Sequence, residues 1–158
     1  MPKLRKQLSD AGFEDVTTYL QSGNVVLSSD ASPDRVAGRL ERLVAEGFGL
    51  DIDVIVRTRD ELAEVVRRNP LGEAPADPKR YQVSFLSAEL DPETVRELVS
   101  LAAAPEQLVA KGRELYAWYP HGIARSKLAA RLAGRDLGVT ATARNWATVT
   151  KLLEMADG

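Results

Sequence analysis

The chain is predicted to fold as an α+β protein built from two related halves, and three observations predict it. Hydrophobic spacing reads helix, strand, strand, helix, strand in the first half and strand, helix, strand, strand, helix in the second. Residues 71–79, with Pro75 and Pro78, carry no periodicity and read as the connection between a first half, 1–70, and a second half, 80–158. Hydrophobic residues make up 44% and charged residues 28% of the 158, as in soluble globular proteins that bury a core without cross-links.

The elements follow in order. Residues 3–11 place Leu4 and Leu8 on one helical face, and Gly12 supplies a left-handed cap. Residues 16–20 are rich in strand formers, Gln21-Ser22-Gly23-Asn24 forms a tight turn, and Val25-Val26-Leu27 returns as a second strand. Ser32 caps the next helix with Pro33 at its first position; Val36, Leu40, Leu43 and Val44 give its apolar face, and Gly47 or Gly49 stops it. Residues 53–57 predict a short strand. Thr58 and Glu61 form a capping box, each side chain accepting from the other's backbone N–H, and the helix they open carries Leu62, Val65 and Val66 to Asn69-Pro70. After the connection, residues 81–86 alternate as a strand, and Asp91-Pro92 opens a helix through Val95, Leu98, Val99 and Leu101. Residues 107–110 and 114–119 are strands joined at Lys111-Gly112-Arg113. Pro120-His121-Gly122 turns the chain, residues 125–133 form a short helix with Ser126 at its start, and Gly134 and Gly138 break it. Residues 140–155 are predicted to be one long final helix. On it Trp146, Val149 and Leu153 share an apolar face, Arg144, Thr148 and Lys151 stack on the opposite face, and Asn145 sits at the seam.

Both halves resemble the β-α-β-β-α-β unit of ferredoxin-like plaits, each short of one strand. The first lacks its opening strand, which is central in that unit, and neighbours of a central strand expose unpaired backbone without it.

Three segments carry a family resemblance: Thr18-Tyr-Leu-Gln-Ser-Gly-Asn-Val-Val26, Arg125-Ser-Lys-Leu128 and Thr142-Ala-Arg-Asn-Trp-Ala-Thr-Val-Thr-Lys-Leu152. Phe48-Gly-Leu-Asp-Ile-Asp-Val-Ile-Val-Arg57 and Asn69-Pro70 also fit. With these the chain resembles the bacterial proteins catalogued as domain of unknown function 1697. The resemblance implies two ferredoxin-like halves and no activity. It also implies two departures. Family members begin with a strand running into Leu-Arg-Gly-Ile-Asn-Val-Gly-Gly, after which this sequence starts, so the 158 residues are expected to be poorly stable alone. The Asn that follows the motif tryptophan in the family is Ala147 here.

Composition narrows the chemistry. With no cysteine, disulfides, zinc–thiolate sites and thiol catalysis are excluded. No apolar run approaches the ~20 residues of a membrane span. The opening residues read as an amphipathic helix and not a leader, so a cytoplasmic location without membrane contact is expected. Net charge is −2 but uneven: residues 111–151 hold eight Lys and Arg against two Asp and Glu, a net of +6. Such asymmetry fits an anionic partner, an attraction between the halves, or a solvated basic face.

His121, the single histidine, lies in a turn with no orienting partner in sequence. Ser22 and Ser126 lack a nucleophile elbow. The Asp51/Asp53 and Asp60/Glu61/Glu64 groups read as solvated charges and helix-dipole placements, so no metal or cofactor is expected. No Walker or dinucleotide glycine pattern occurs. The tip Gln21, Ser22, Gly23 and Asn24 suits an Asx turn, or backbone N–H groups aimed at an anion. Arg57 ends a predicted strand on the same edge, while Ser126-Lys127 and Arg144-Asn145 stand near helix starts, where a phosphate is favoured. Tyr81, Phe85, Tyr116 and Trp118 alternate on strands; exposed they would stack bases, but packing is preferred. The sequence therefore predicts binding of a phosphate-containing small molecule or nucleic acid in a cleft between the halves, by Gln21, Ser22, Gly23, Asn24, Arg57, Ser126, Lys127, Arg144, Asn145 and Thr148. One alternative is a ligand-free polar lock between acidic and basic halves. Another is an enzyme acting on a phosphorylated substrate.

Overall fold

A computed structural model describes residues 2–19, 23–72, 76–134 and 137–157. The fold is α+β, with antiparallel sheets throughout. By compactness the chain forms two units, Met1–Leu62 with Lys151–Gly158, and Ala63–Thr150. The division falls within two helices. The second unit takes in the residues after Leu62 because the end of their helix is bonded to its sheet: the Tyr116 hydroxyl donates to the Val65 carbonyl at 2.6 Å and the Tyr81 hydroxyl donates to Asn69 Oδ1.

The first unit contains α1 (Pro2–Asp10), β1 (Glu14–Tyr19), β2 (Asn24–Ser28) and α2 (Pro33–Phe48). β1 and β2 pair antiparallel, Tyr19 opposite Asn24, with a register irregularity between Glu14 and Thr17. Asp15 there has φ of 52°, in the left-handed region. Leu8, Phe13 and Val36 are buried, and Leu4, Val16, Val25, Leu27, Leu40 and Leu43 pack around them. So the apolar faces of α1 and α2 cover one side of the hairpin, as their 3.6-residue spacing requires. The helices come close at Gly47, where a Cβ would lie 2.5 Å from Gln7 Oε1. Ser32 Oγ accepts from Arg35 N, and Gly49, at φ 65°, closes α2 on the Ala45 carbonyl.

Residues 49–58 form neither helix nor strand, so the strand predicted at 53–57 is absent. Two-residue alternation extends a chain, but a strand also needs a ladder partner. Among the described residues the first sheet is β1 and β2 alone. Val56 still packs on the first core, as its apolar side chain dictates. The capping box forms: Thr58 N donates to Glu61 Oε1 at 2.8 Å and Glu61 N to Thr58 Oγ1 at 3.1 Å, opening α3 (Arg59–Arg67).

The second unit runs β3 (Tyr81–Leu86), α4 (Pro92–Leu101), β4 (Gln107–Lys111), β5 (Glu114–Trp118), α5 (Lys127–Ala133), β6 (Ala141–Asn145) and α6 (Trp146–Asp157), the last helix continuing beyond the unit at Thr150. The single helix predicted over 140–155 is therefore a strand followed by a helix. All five residues of β6 pair with β3, from Gln82 opposite Asn145 to Leu86 opposite Ala141. Unpaired, that edge of β3 would leave buried backbone groups unsatisfied, a cost that outweighs the helical preference of the alanines. The strand order is β4-β5-β3-β6.

Strand periodicity then assigns the faces. Leu86, Leu108, Leu115, Ala117 and Tyr119 share a buried core with Leu98 of α4 and Leu128 of α5. The other face carries Tyr81, Val83, Phe85, Glu114 and Tyr116, all buried. There the Tyr81 ring stacks on Trp146, centroids 4.9 Å apart, and lies 6.3 Å from Tyr116.

Candidate functional site

The strand registers fix which segments of the second unit meet at each end of its sheet. Tyr81, the first residue of β3, faces Trp118, the last of β5, and Gln82 faces Asn145, the last of β6. One end of the sheet thus collects the start of β3 and the ends of β5 and β6. β5 and β6 are both antiparallel to β3 and hence parallel to each other. The helix joining them, α5, must run back along the sheet, so Ser126 and Lys127 at its start lie at that same end. Two backbone bonds tie residues 78–80 there as well: Trp146 N donates to the Pro78 carbonyl at 3.0 Å, and Tyr119 N to the Arg80 carbonyl at 2.9 Å. Lys79, Arg80, Arg125 and Lys127 are all exposed. Arg80 Nη1 also donates to the Pro120 carbonyl, and its Nε stands 3.7 Å from Asp77.

The residues singled out from sequence occupy both units. Asn24 and Arg57 lie in the first, and Ser126, Lys127, Arg144, Asn145 and Thr148 in the second. Gln21 and Ser22 fall outside the described residues. Gly23 is an exposed turn residue with φ of 89°. Asn24 is buried, and its Nδ2 donates to the Tyr19 carbonyl at 3.1 Å, closing the hairpin from inside. Arg57 is half-buried on the extended segment, its Nη1 donating to the Val56 carbonyl at 3.2 Å.

In the second unit two of the candidate side chains are helix caps. Ser126 Oγ accepts from Ala129 N at 3.1 Å, and Asn145 Oδ1 accepts from Thr148 N at 2.9 Å. Each thereby satisfies a backbone donor that a helix start leaves open. Arg144 does not share a helical face with Thr148 and Lys151, because it belongs to β6. It alternates with Asn145 and so occupies the opposite face of the sheet, where its Nη1 donates to Thr142 Oγ1 at 2.6 Å and to the Ala143 carbonyl at 2.8 Å. Burial holds its guanidinium below the ordinary pKa. Thr148, in the first turn of α6, is buried. Of this group Lys127 is the one whose charge is exposed.

Reading by segment missed Lys79 and Arg80. They close the connecting stretch immediately before β3, so their sequence position assigned them to a linker, while the backbone bonds of Pro78 and Arg80 tie them to the sheet end at which the crossover into α5 begins. The available signal was a basic pair directly preceding a strand start.

Beneath the sheet, the Arg68 guanidinium meets Glu114 at 2.6 Å, with the Glu114 side chain 7% exposed. Burial opposes the Arg68 charge, but the Glu114 hydrogen bond and neighbouring negative groups outweigh it and raise its pKa. Tyr116 and Tyr81 are likewise pushed up, chiefly by burial. These groups hold the end of α3 against the sheet. Among the described residues no cluster of three or more His, Cys, Asp or Glu is placed to hold a metal ion, and no helix is long and apolar enough to cross a membrane.

The family model described as "Protein of unknown function (DUF1697)" matches residues 1–116. The chain is also similar in structure to the conserved bacterial protein SP0830 from Streptococcus pneumoniae, with a TM-score of 0.73 and 22% sequence identity over 99% of this chain and 88% of that one. At that identity the likeness concerns the fold. None of the curated proteins matches.

Proposed function

The chain belongs to the family described as protein of unknown function DUF1697, and on that footing we propose that its second unit binds a phosphate-containing ligand. The site is the end of the sheet that carries Lys79, Arg80, Arg125 and Lys127. One observation carries this reading: two chain segments far apart in sequence, 79–80 and 125–127, bring four exposed cations to one sheet end, where Arg80 also stands 3.7 Å from Asp77. Cations that outnumber the acids beside them repel one another, and a phosphate oxygen offers what relieves that repulsion. The surrounding +6 segment adds a field that draws anions toward it. In the same reading the second unit is a ferredoxin-like plait, supported by its β-α-β-β-α-β order and by β5 and β3 occupying the middle of its sheet.

Isothermal titration with inorganic phosphate, a mononucleotide and a short oligonucleotide tests the proposal. Lys127→Ala and Arg125→Ala are expected to weaken binding severalfold while leaving the melting temperature in place, since both side chains are exposed. Unchanged binding in both variants would falsify it.

A second reading has its own supporting observation. Asn24, Ser126 and Asn145 direct their side chains to their own backbone, as residues kept for structure do. On this reading there is no ligand. Ser126→Ala and Asn145→Ala then lower the melting temperature, and none of the three anions binds the wild type.

A further inference from the structure

Resting on the phosphate-binding reading, we infer that the ligand is held through a run of phosphates alone, with no base read by stacking. Proteins that grip single-stranded nucleic acid on a sheet lay bases on aromatic side chains of an open face. On this sheet the aromatic side chains are covered, Trp118 at the strand end only in part. Tyr81 and Tyr116 are 0% exposed and Phe85 7%. The Tyr81 ring is already stacked on Trp146. Both phenol hydroxyls are engaged, with Asn69 Oδ1 and with the Val65 carbonyl. The opposite face is closed by the core that Leu98 of α4 and Leu128 of α5 share with β3, β4 and β5.

The cations exposed at the sheet end are ammonium and guanidinium groups, which suit phosphate charge and need no base to stack. Four of them on two segments exceed what a single orthophosphate engages. They suit consecutive phosphates, whose chemistry an inorganic polyphosphate and a nucleic-acid backbone share.

The experiment is fluorescence anisotropy with labelled oligo-dA, oligo-dT and oligo-dC of equal length, together with competition by polyphosphate. The expected result is affinities within about twofold of one another, all falling with salt as counterion release requires. Tryptophan emission should stay unchanged on binding, since neither Trp146 nor Trp118 meets a base, and Trp118→Phe should leave affinity unaltered. Displacement of the oligonucleotides by polyphosphate at equal phosphate concentration assigns the site to phosphate chains in general. Failure of polyphosphate to displace them assigns it to the nucleic-acid backbone. A tenfold preference for one base, or quenching of tryptophan on binding, overturns the inference and leaves the phosphate reading standing. If no probe binds at all, the phosphate reading itself falls.

Discussion

Arg68 and Glu114 show what a single pair does in this chain. Glu114 is buried on the face of β5 that carries Tyr116, and Arg68 compensates its charge there. Fully buried pairs cost ~3–5 kcal/mol when one partner is removed. The Arg68 side chain is 30% exposed, which screens the pair. Arg68→Met is therefore expected to destabilise by about 2 kcal/mol in urea unfolding at neutral pH. Tyr116 makes a second residue-scale prediction. Its hydroxyl satisfies a carbonyl in the last turn of α3, and burial pushes its pKa from 10.0 up to about 12. A phenol whose folded pKa exceeds its unfolded one stabilises fully below the unfolded value and loses that contribution as pH rises through the folded one. Urea midpoints should therefore be flat below pH 10 and fall towards pH 12. Tyr116→Phe should cost about 1–3 kcal/mol at neutral pH, from the unsatisfied carbonyl, and show a shallower alkaline fall.

Asn145 acts at the scale of elements. It is the last residue of β6 and the cap of α6, so one side chain marks the change from strand to helix. Asn145→Ala is expected to lower stability by ~1 kcal/mol, and Asn145→Asp to preserve it, because either side chain offers an oxygen to the Thr148 N–H. Thermal melts of the two variants check this, and a loss in both would point to a role for the Asn145 amide nitrogen. The same stretch shows how far the elements can be read from sequence. Caps announce themselves locally: Ser32-Pro33, Thr58 with Glu61, Asp91-Pro92 and Ser126 each start a helix where the residues indicate. Ladder partners do not. Ala141–Asn145 is a strand because β3 lies beside it, and residues 53–57 are not, although Val54, Ile55 and Val56 favour strand more strongly. Pairing between segments distant in sequence decides both cases, and no local window contains it.

At the scale of the whole molecule, net charge is −2 while residues 111–151 carry +6. That imbalance is legible by counting. Its arrangement is not, because only the folded chain relates the end of the sheet that follows Lys79 and Arg80 to the crossover that carries Arg125 and Lys127. The candidates read from sequence were chosen as amides and cations near turns and helix starts. Such positions are also where side chains cap and close the local backbone, as Asn24, Ser126 and Asn145 do here. On the proposed reading, the exposed cations at the sheet end are the groups that would engage an anion.

The salt dependence of oligonucleotide binding to wild type and to Lys127→Ala tests that assignment most directly. A lysine that contacts phosphate releases counterions when the complex forms, so its loss should flatten the slope of log affinity against log salt by about one and weaken every sequence alike. Parallel slopes for the two proteins, with equal affinities at low salt, would contradict it.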